Sequence, residues 1–542
     1  MNDNKANFQL SFIFICLVSI SFILLKSWVS EDAYITARVI DNFVNGYGLV
    51  WNLNERVQVY THPLWMIIHI PLYFFTNDFF FSTIFISLII TSSIFFLTLR
   101  NLYSSANQKI NLNIFILFSF LILSRSVSDF YTSGLETSLT FLLTLLFVLQ
   151  ANKKEVSYYK IGLFTGLLLL NRMDNILLIV PCLIYLLSTN FSISVAKRIL
   201  VGVLPFITWL IFSLLYYGFI FPNTKYAKLN TGMKTQDQIE QGVGYFFSLV
   251  KFDLTSIIIV MVTIFLIFVT RNKNKNLGLN ISLISGTILY SLYAIYVGGD
   301  YMIGRFFAPA IFLSIAISSI LINQITLNKK SISIIYTIIF SSFIFSQFNI
   351  MKSPNVLTTP FDAKYFIDRN TKIHDERGWS WNTNHLINSN FINRSKSVQD
   401  HPFAKKGLTL NKKAELLLNQ CGASPCLYTD YFAIGMTGYY AGKNVHLIDN
   451  FAITDSFLAH MPMTSPDGWK WAGHYYREIP AGYMKALQKN DYSSMDVNLA
   501  KYYKIIRKIT SGNIFDKERI SYIIDINLGK FDYLLEDTKR IK

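Results

Sequence analysis

Charged residues and cysteines are scarce in this sequence. Only 15% of its 542 residues are Asp, Glu, Lys or Arg and only four are Cys, whereas soluble domains carry roughly 25% charged residues. Hydrophobic residues make up 52% of the chain and the mean hydropathy is +0.36. This composition excludes an ordinary soluble domain and predicts a polytopic membrane protein.

Acidic residues are outnumbered, with 33 against 49 basic ones and a formal net charge of +16. The excess Lys and Arg lie in short clusters between apolar segments, which is typical of cytoplasmic loops of membrane proteins. We therefore expect no nucleic-acid partner. Such clusters include Arg100, Lys153 and Lys154, Lys197 and Arg198, and Arg271.

Apolar segments divide the chain before residue 350 into about eleven predicted transmembrane helices. If the N-terminus is cytoplasmic, the basic clusters all face the cytoplasm, and an odd number of spans places the region after residue 350 outside. The first segment is read as a retained signal anchor. The predicted spans are roughly 9–28, 79–99, 111–124, 137–150, 160–170, 175–189, 199–217, 254–270, 278–297, 307–325 and 331–348.

The first outer loop is expected to contain two helices lying on the membrane surface, at about 33–45 and from His62 to Phe75. The second segment is apolar but short, which favours an interfacial position over a span. Ser30 is predicted to cap the first helix, with Glu31 and Asp32 in its first turn. Two adjacent carboxylates are thus expected at the membrane–water boundary.

The sequence predicts a transmembrane domain at 1–349 and an extracytoplasmic α/β domain at 350–542. In the outer domain, strands are expected at Pro425–Asp430 and Asn444–Asp449 with a helix between them. Cys421 and Cys426 are the only cysteines expected there, and a disulfide closing this short loop would contribute about 2 kcal/mol. A zinc pair is the alternative, but no second ligand pair with suitable spacing is evident.

Several motifs resemble those of GT-C membrane glycosyltransferases, and most of all the AftB-like arabinofuranosyltransferase family with its LphB-like relatives. The resemblance covers most of the chain, with Glu31 departing from the Asp that many relatives carry. The outer-loop motifs are Glu31–Arg38, Asn45–Asn52, Glu55–Val57 and Tyr60–Trp65. Later motifs are Ser133–Thr137, Asn171–Asp174, Phe221–Lys225, Gly298–Phe307, Gly438–Gly442 and His446–Asp449.

The resemblance implies a GT-C fold with interfacial helices in the first outer loop, in a multi-pass protein of the bacterial inner membrane. It implies transfer of a sugar, such as the pentofuranose arabinofuranose, from a polyprenyl-phosphate donor to an extracytoplasmic envelope glycan. Such a reaction needs a base for the acceptor hydroxyl and positive charge for the departing phosphate. The expected partners are the donor, the acceptor glycan and the bilayer.

Asp32 is predicted to be the general base, and Glu31 to orient the site or hold the acceptor. Adjacent helical residues diverge in direction, so both are not expected to contact one hydroxyl. A single base favours inversion at the donor carbon. The alternative interpretation is that both carboxylates only stabilise a helix N-terminus.

Arg305 is the first candidate for binding the donor phosphate, because a guanidinium forms paired hydrogen bonds to phosphate oxygens. The secondary candidates are Lys225, Arg56 and His62, and the alternative for outer Lys and Arg is contact with lipid headgroups. The residues expected to support the substrate cavity are Glu136, Arg172, Asp174 and Asp300. The alternative is that they form a purely structural network.

Acceptor binding is assigned to the outer domain, where polar side chains occur among aromatic ones. The candidates are Asp449, Tyr440 and His474. No cofactor and no metal are expected, although carboxylates such as Asp32 and Asp174 leave a divalent cation as the open alternative. The competing functions are a transporter or flippase of lipid-linked saccharide and a non-catalytic envelope scaffold.

Overall fold

The computed structural model is predominantly helical. It describes residues 2–105, 113–229, 231–272, 276–324, 329–351, 366–368, 372–388, 397–421, 424–465, 469 and 471–536. The helices of the first half are α1 (Asn2–Lys26), α2 (Ala33–Val44), α3 (Pro63–Thr76), α4 (Phe79–Ser105), α5 (Asn113–Leu123), α6 (Arg125–Ser128), α7 (Thr137–Ala151), α8 (Tyr158–Asn171), α9 (Ile176–Asn190), α10 (Ile193–Tyr217) and α11 (Asn223–Leu229).

The second half adds four short strands and further helices. The strands are β1 (Phe366–Asp368), β2 (Ile373–His374), β3 (Leu427–Tyr431) and β4 (Val445–Asp449). The helices are α12 (Thr235–Phe252), α13 (Leu254–Thr270), α14 (Leu277–Tyr296), α15 (Ala308–Leu321), α16 (Lys329–Met351), α17 (Glu376–Trp379), α18 (Pro402–Cys421), α19 (Ile434–Ala441), α20 (Tyr483–Lys489), α21 (Val497–Ser511) and α22 (Lys517–Asn527).

Each predicted span coincides with a helix, and the chain is a multi-pass membrane protein. Within the described residues, four helices are long and apolar enough to cross a membrane, or five if the pair α12–α13 is one broken span. The four are Phe79–Leu102, Met173–Asn190, Ile193–Tyr217 and Leu277–Tyr296. Shorter apolar helical stretches are Phe14–Lys26, Pro63–Thr76, Thr137–Ala151, Ala308–Leu321 and Ser333–Ser346.

The break between α12 and α13 lies at a buried carboxylate. The two helices meet at 93° around Asp253, which is buried. Its carboxylate accepts hydrogen bonds from the backbone N–H groups of Arg125 (3.2 Å) and Ser126 (2.7 Å). A buried carboxylate needs such donors. Because they come from a different helix, no local sequence pattern marks this bend.

The chain folds into two compact units, each assembled from three stretches of sequence. Unit 1 contains Met1–Ser30, Phe80–Phe206 and Gln238–Ser397, and unit 2 contains Glu31–Phe79, Ile207–Asp237 and Val398–Lys542. The predicted boundary at 349/350 stays a prediction. Residues 372–388 belong to unit 1, where Leu386 N donates to Ser27 O (2.9 Å).

Close helix packing in unit 1 depends on glycine. In α14, a methyl group added at Gly286 would lie 1.9 Å from the backbone oxygen of Leu178 in α9. In α8, a methyl group at Gly162 would lie 2.2 Å from the backbone oxygen of Ile199 in α10. Both distances are far inside van der Waals contact, so these helix pairs approach backbone to backbone.

Unit 2 contains the predicted α/β element. Strands β3 and β4 pair in parallel, with Leu427 opposite Val445 and Tyr431 opposite Asp449, and α19 connects them. The prediction of a small α/β arrangement in the C-terminal region is therefore confirmed. A disulfide bond joins Cys421, at the end of α18, to Cys426, just before β3.

A buried arginine ties the segment after α1 to this α/β element within unit 2. From α2, Arg38 donates to the backbone oxygens of Trp51 (2.7 Å), Gly438 (2.9 Å) and Val445 (2.7 Å), and its guanidinium stacks on the Trp51 ring. Burial of an arginine is tolerated because its donors are satisfied by carbonyls.

Candidate functional site

The adjacent carboxylates Glu31 and Asp32 have different environments. Glu31 is buried, and its Oε1 accepts a hydrogen bond from Met436 N (3.0 Å) in the first turn of α19. Asp32 is partly exposed and occupies the N-cap position of α2. The expectation that Ser30 caps this helix, with both acids in its first turn, is wrong because α2 begins at Ala33.

The segment after α1 contains α2 and α3, close to where the sequence predicts two helices. His62 lies at the N-cap position of α3, and its Nε2 is 2.8 Å from Thr36 Oγ1 in α2. His62 is buried. This contact joins the two helices, and whether His62 also contacts a donor phosphate stays a prediction.

Two basic side chains proposed for phosphate binding are held by protein groups of unit 2. Arg56 donates from Nε to Tyr216 O (3.0 Å) and from Nη2 to Gly512 O. The ammonium of Lys225 in α11 lies 3.4 Å from the centre of the Phe221 ring, and partial burial lowers the pKa of this lysine. Cation–π contact of this kind stabilises the ammonium ion.

Unit 1 contains a largely buried ion network. Arg172 lies between α8 and α9 and donates to Glu136 Oε1 (2.9 Å) and Asp174 Oδ1 (2.9 Å). Its guanidinium also lies 5.2 Å from the centre of the Phe306 ring. These three residues, which are expected from the sequence to form one network, are thus in contact. Removing one partner of such a buried network typically costs about 3–5 kcal/mol.

A second acid–base pair lies in the loop between α14 and α15. Asp300 is buried, accepts a hydrogen bond from Tyr301 N (2.8 Å) and is 3.3 Å from Arg305 Nη1. Asp300 is thus one of the groups that position the guanidinium of Arg305, and it partly neutralises its charge. Asp32 and Arg305 belong to different compact units.

The three residues assigned to acceptor binding lie in unit 2 and differ in accessibility. Asp449 is fully buried and accepts hydrogen bonds from three backbone N–H groups, those of Phe451 (2.8 Å), Ile453 (2.6 Å) and Thr454 (3.1 Å). Burial raises the pKa of Asp449 to about 7 against the effect of these donors. These contacts organise the loop after β4, and an acceptor contact stays a prediction.

The other two candidates are aromatic and partly exposed. Tyr440, in α19, stacks on Tyr34 of α2 with 6.1 Å between ring centres. His474 stacks on Trp471 at 4.1 Å with an angle of 13° between the rings. Flat aromatic surfaces of this kind suit the apolar face of a sugar ring.

Glu55 lies in the motif Glu55–Val57, but no site role is predicted for it from the sequence. Its Oε1 accepts a hydrogen bond from Asn52 (2.9 Å) and lies 3.8 Å from His446 Nε2. Burial, followed by the nearby Asp455, raises the pKa of Glu55 to about 8. An ionisable group with such a shift beside a cavity is a candidate for function. Its position in a motif was a weak signal of function. The cavity beside Glu55 is lined by residues from distant parts of the chain, such as Tyr428 and Tyr503.

No cluster of metal-ligating side chains is evident among the residues described. In that part of the chain, no three His, Cys, Asp or Glu side chains are grouped so that they could hold a metal ion. The expectation that the protein acts without a metal stays a prediction.

Comparison with known proteins gives limited similarity. No protein-family model and no curated protein matches the chain. Among solved structures, the chain is similar to the crystal structure of ArnT from Cupriavidus metallidurans bound to undecaprenyl phosphate, with 12% sequence identity and a TM-score of 0.43. The match covers 84% of this chain and 77% of that chain. Similarity of this extent establishes neither a family nor an activity.

Proposed function

We propose that the protein is a glycosyltransferase that moves a sugar from a polyprenyl-phosphate donor to an extracytoplasmic envelope glycan. The observation that carries the proposal is that two adjacent acids have different environments. Glu31 is buried against the first turn of α19, whereas Asp32 is partly exposed just beyond the first apolar helix. Asp32 thus has the access that a general base requires.

The motif resemblance supports the reaction class, and the basic residues support the donor class. A sugar phosphate leaves as an anion, so its departure requires positive charge nearby. Arg305 is the proposed phosphate ligand, with Asp300 positioning its guanidinium. The sugar is proposed to be a pentofuranose such as arabinofuranose, and the configuration at the donor carbon is proposed to invert because one base serves a single displacement.

The proposal predicts that Asp32→Asn lowers transfer by about 10²–10⁴-fold, the usual contribution of a general base. Purified protein is incubated with a panel of polyprenyl-phosphate sugars and envelope glycan fragments, and the product linkage is determined by NMR. The matched control is Asp41→Asn, the same change on the same helix, where Tyr73 and Asn45 donate to the Asp41 side chain. This control is expected to keep transfer activity.

Two results would contradict this assignment. Full transfer by the Asp32→Asn protein would remove Asp32 from catalysis, and retention of anomeric configuration would exclude the single displacement. Movement of a lipid-linked saccharide across liposomes without formation of a glycosidic bond would instead favour a transporter.

A further inference from the structure

Unit 2 contains a cavity of about 150 Å³ that no predicted site residue lines. We call it the tyrosine cavity and define it by Tyr428, Tyr483, Tyr503, Glu55 and Ser456, which all line it. A cavity of about 150 Å³ in another protein accommodates a benzene ring. One six-membered ring is therefore an appropriate size of ligand.

The polar groups of the cavity are only partly used by the protein itself. Both oxygens of Asp455 are engaged, Oδ1 by the N–H groups of Phe457 and Leu458 and Oδ2 by the hydroxyl of Tyr483 (2.7 Å). Glu55 differs, because its one side-chain hydrogen bond among the described residues is from Asn52 to Oε1. The second oxygen of Glu55 is thus left for another donor.

Ser456 provides an independent indication of a ligand. It is 4% exposed, and its Oγ has no hydrogen-bond partner within the part of the chain that the structure describes. A buried hydroxyl without a partner costs about 1–3 kcal/mol. Ser456 lines the tyrosine cavity, so rotation of its side chain would bring the hydroxyl to a ligand in the cavity and remove this cost.

The charges of the cavity favour a neutral ligand over an anion. Two acids, Glu55 and Asp455, line the cavity together with one guanidinium, that of Arg507. Arg507 Nη1 already donates to Asn490 Oδ1 (2.9 Å). The raised pKa of Glu55 keeps much of this group protonated near neutral pH. A protonated carboxyl both donates and accepts hydrogen bonds, which matches the hydroxyl groups of a polyol.

Aromatic groups supply the rest of the lining. Tyr428 stacks on His446 with ring centres 5.2 Å apart, and Tyr483 meets Tyr503 edge to face at 4.9 Å. Rings beside a few convergent polar groups are typical of sites that bind small molecules with one apolar face.

We propose that the tyrosine cavity is a carbohydrate-binding site that takes one neutral sugar ring, with Glu55 and Ser456 hydrogen-bonded to its hydroxyl groups and the tyrosines beside its apolar face. The site is separate from the predicted acceptor residues Asp449, Tyr440 and His474. The proposal concerns binding alone and does not rest on the proposed transfer reaction.

The test is saturation-transfer NMR on the full chain in detergent. The probes are methyl α-D-arabinofuranoside, methyl α-D-mannopyranoside, methyl α-D-galactopyranoside and methyl β-N-acetylglucosaminide, each beside its free sugar. Tetramethylammonium serves as a quaternary ammonium probe for cation binding by the aromatic rings. We expect at least one glycoside to bind at millimolar concentration. Binding of a glycoside indicates the end of a glycan chain as ligand, and binding of only the free sugar indicates a monosaccharide.

Variants locate the binding. Glu55→Ala and Tyr428→Leu are each expected to weaken it at least about tenfold, whereas Tyr533→Leu, at a side chain that is 62% exposed, keeps it. The Asp32→Asn protein is expected to bind as well as the unaltered protein, so a failure of the proposed transfer reaction is seen separately. Thermal unfolding verifies that each variant is folded.

Three results would overturn the proposal. These are no binding of any sugar in the panel, binding that is unchanged in Glu55→Ala and Tyr428→Leu, and binding of tetramethylammonium without binding of a sugar.

Discussion

At the scale of single residues, neighbours in sequence have separate tasks. Glu31 accepts a hydrogen bond from Met436 N, which is one of the backbone groups at a helix start that have no partner within the helix. Asp32, one position later, is partly exposed. Adjacent side chains leave the backbone in different directions, so one acid of the pair can stabilise the fold while the other remains accessible.

Glu55 gives a prediction about pH. Its pKa is about 8 in the folded protein because of burial and Asp455, against a lesser opposite effect of Arg38 and Arg507. The folded state therefore binds the proton more tightly than the unfolded state, whose pKa is near 4.3. The stability from this group is complete at low pH and is lost as the pH rises toward about 8.

We therefore expect Glu55→Gln to be increasingly more stable than the unaltered protein between about pH 5 and pH 8, by on the order of a few kcal/mol at the upper end. The measurement is the thermal unfolding midpoint of both proteins in detergent across this range. Glu518→Gln, at an exposed acid, serves as the control with little change. A constant difference between Glu55→Gln and the unaltered protein at every pH would contradict the prediction.

At the scale of helices, the close contact of α9 with α14 predicts the direction of a stability change. Replacing glycine by alanine inside a helix normally stabilises it by about 1 kcal/mol. At Gly286 the added methyl group would meet the backbone oxygen of Leu178 at 1.9 Å. We expect Gly286→Ala to destabilise the protein instead, by about 1–3 kcal/mol, because the helices must separate.

The measurement is the unfolding midpoint of the detergent-solubilised protein. The control is Ile288→Val on the same helix, at a side chain that is 48% exposed, which is expected to change little. An unchanged or raised midpoint for Gly286→Ala would show that α9 and α14 do not approach so closely.

At the scale of the whole molecule, the prediction concerns orientation in the membrane. The basic clusters predict that the loop containing Lys154 is cytoplasmic and that the C-terminal region containing Lys443 is outside. Both lysines are exposed, and the free cysteines Cys16 and Cys182 lie in helices. We expect a membrane-impermeant maleimide to label Lys443→Cys in cells with a permeabilised outer membrane, and to label Lys154→Cys only after the inner membrane is opened.

The unaltered protein supplies the background for this labelling. Labelling of Lys154→Cys in cells with an intact inner membrane would reverse the orientation, and protection of Lys443→Cys would place the C-terminal region inside. Either result would contradict an extracytoplasmic reaction.

The sequence by itself determined the elements whose cause is local. Apolar runs long enough for a bilayer became helices, including α9 and α14, since a backbone in lipid must satisfy its hydrogen bonds within the segment. Strands β3 and β4 lie within two residues of their predicted starts and ends, because their apolar runs are bounded by Pro, Gly and Asn. The sequence also indicated the group of Glu136, Arg172 and Asp174.

Tertiary structure decided which of these side chains remain accessible. Arg56 donates to carbonyls of Tyr216 and Gly512, and Asp449 accepts from three backbone N–H groups, although each looked suited to a substrate. The tyrosine cavity also joins Glu55 to Tyr428 and Tyr503, which lie 373 and 448 positions further along the chain. Burial and hydrogen-bond partners arise from segments distant in the chain, and no local pattern encodes them.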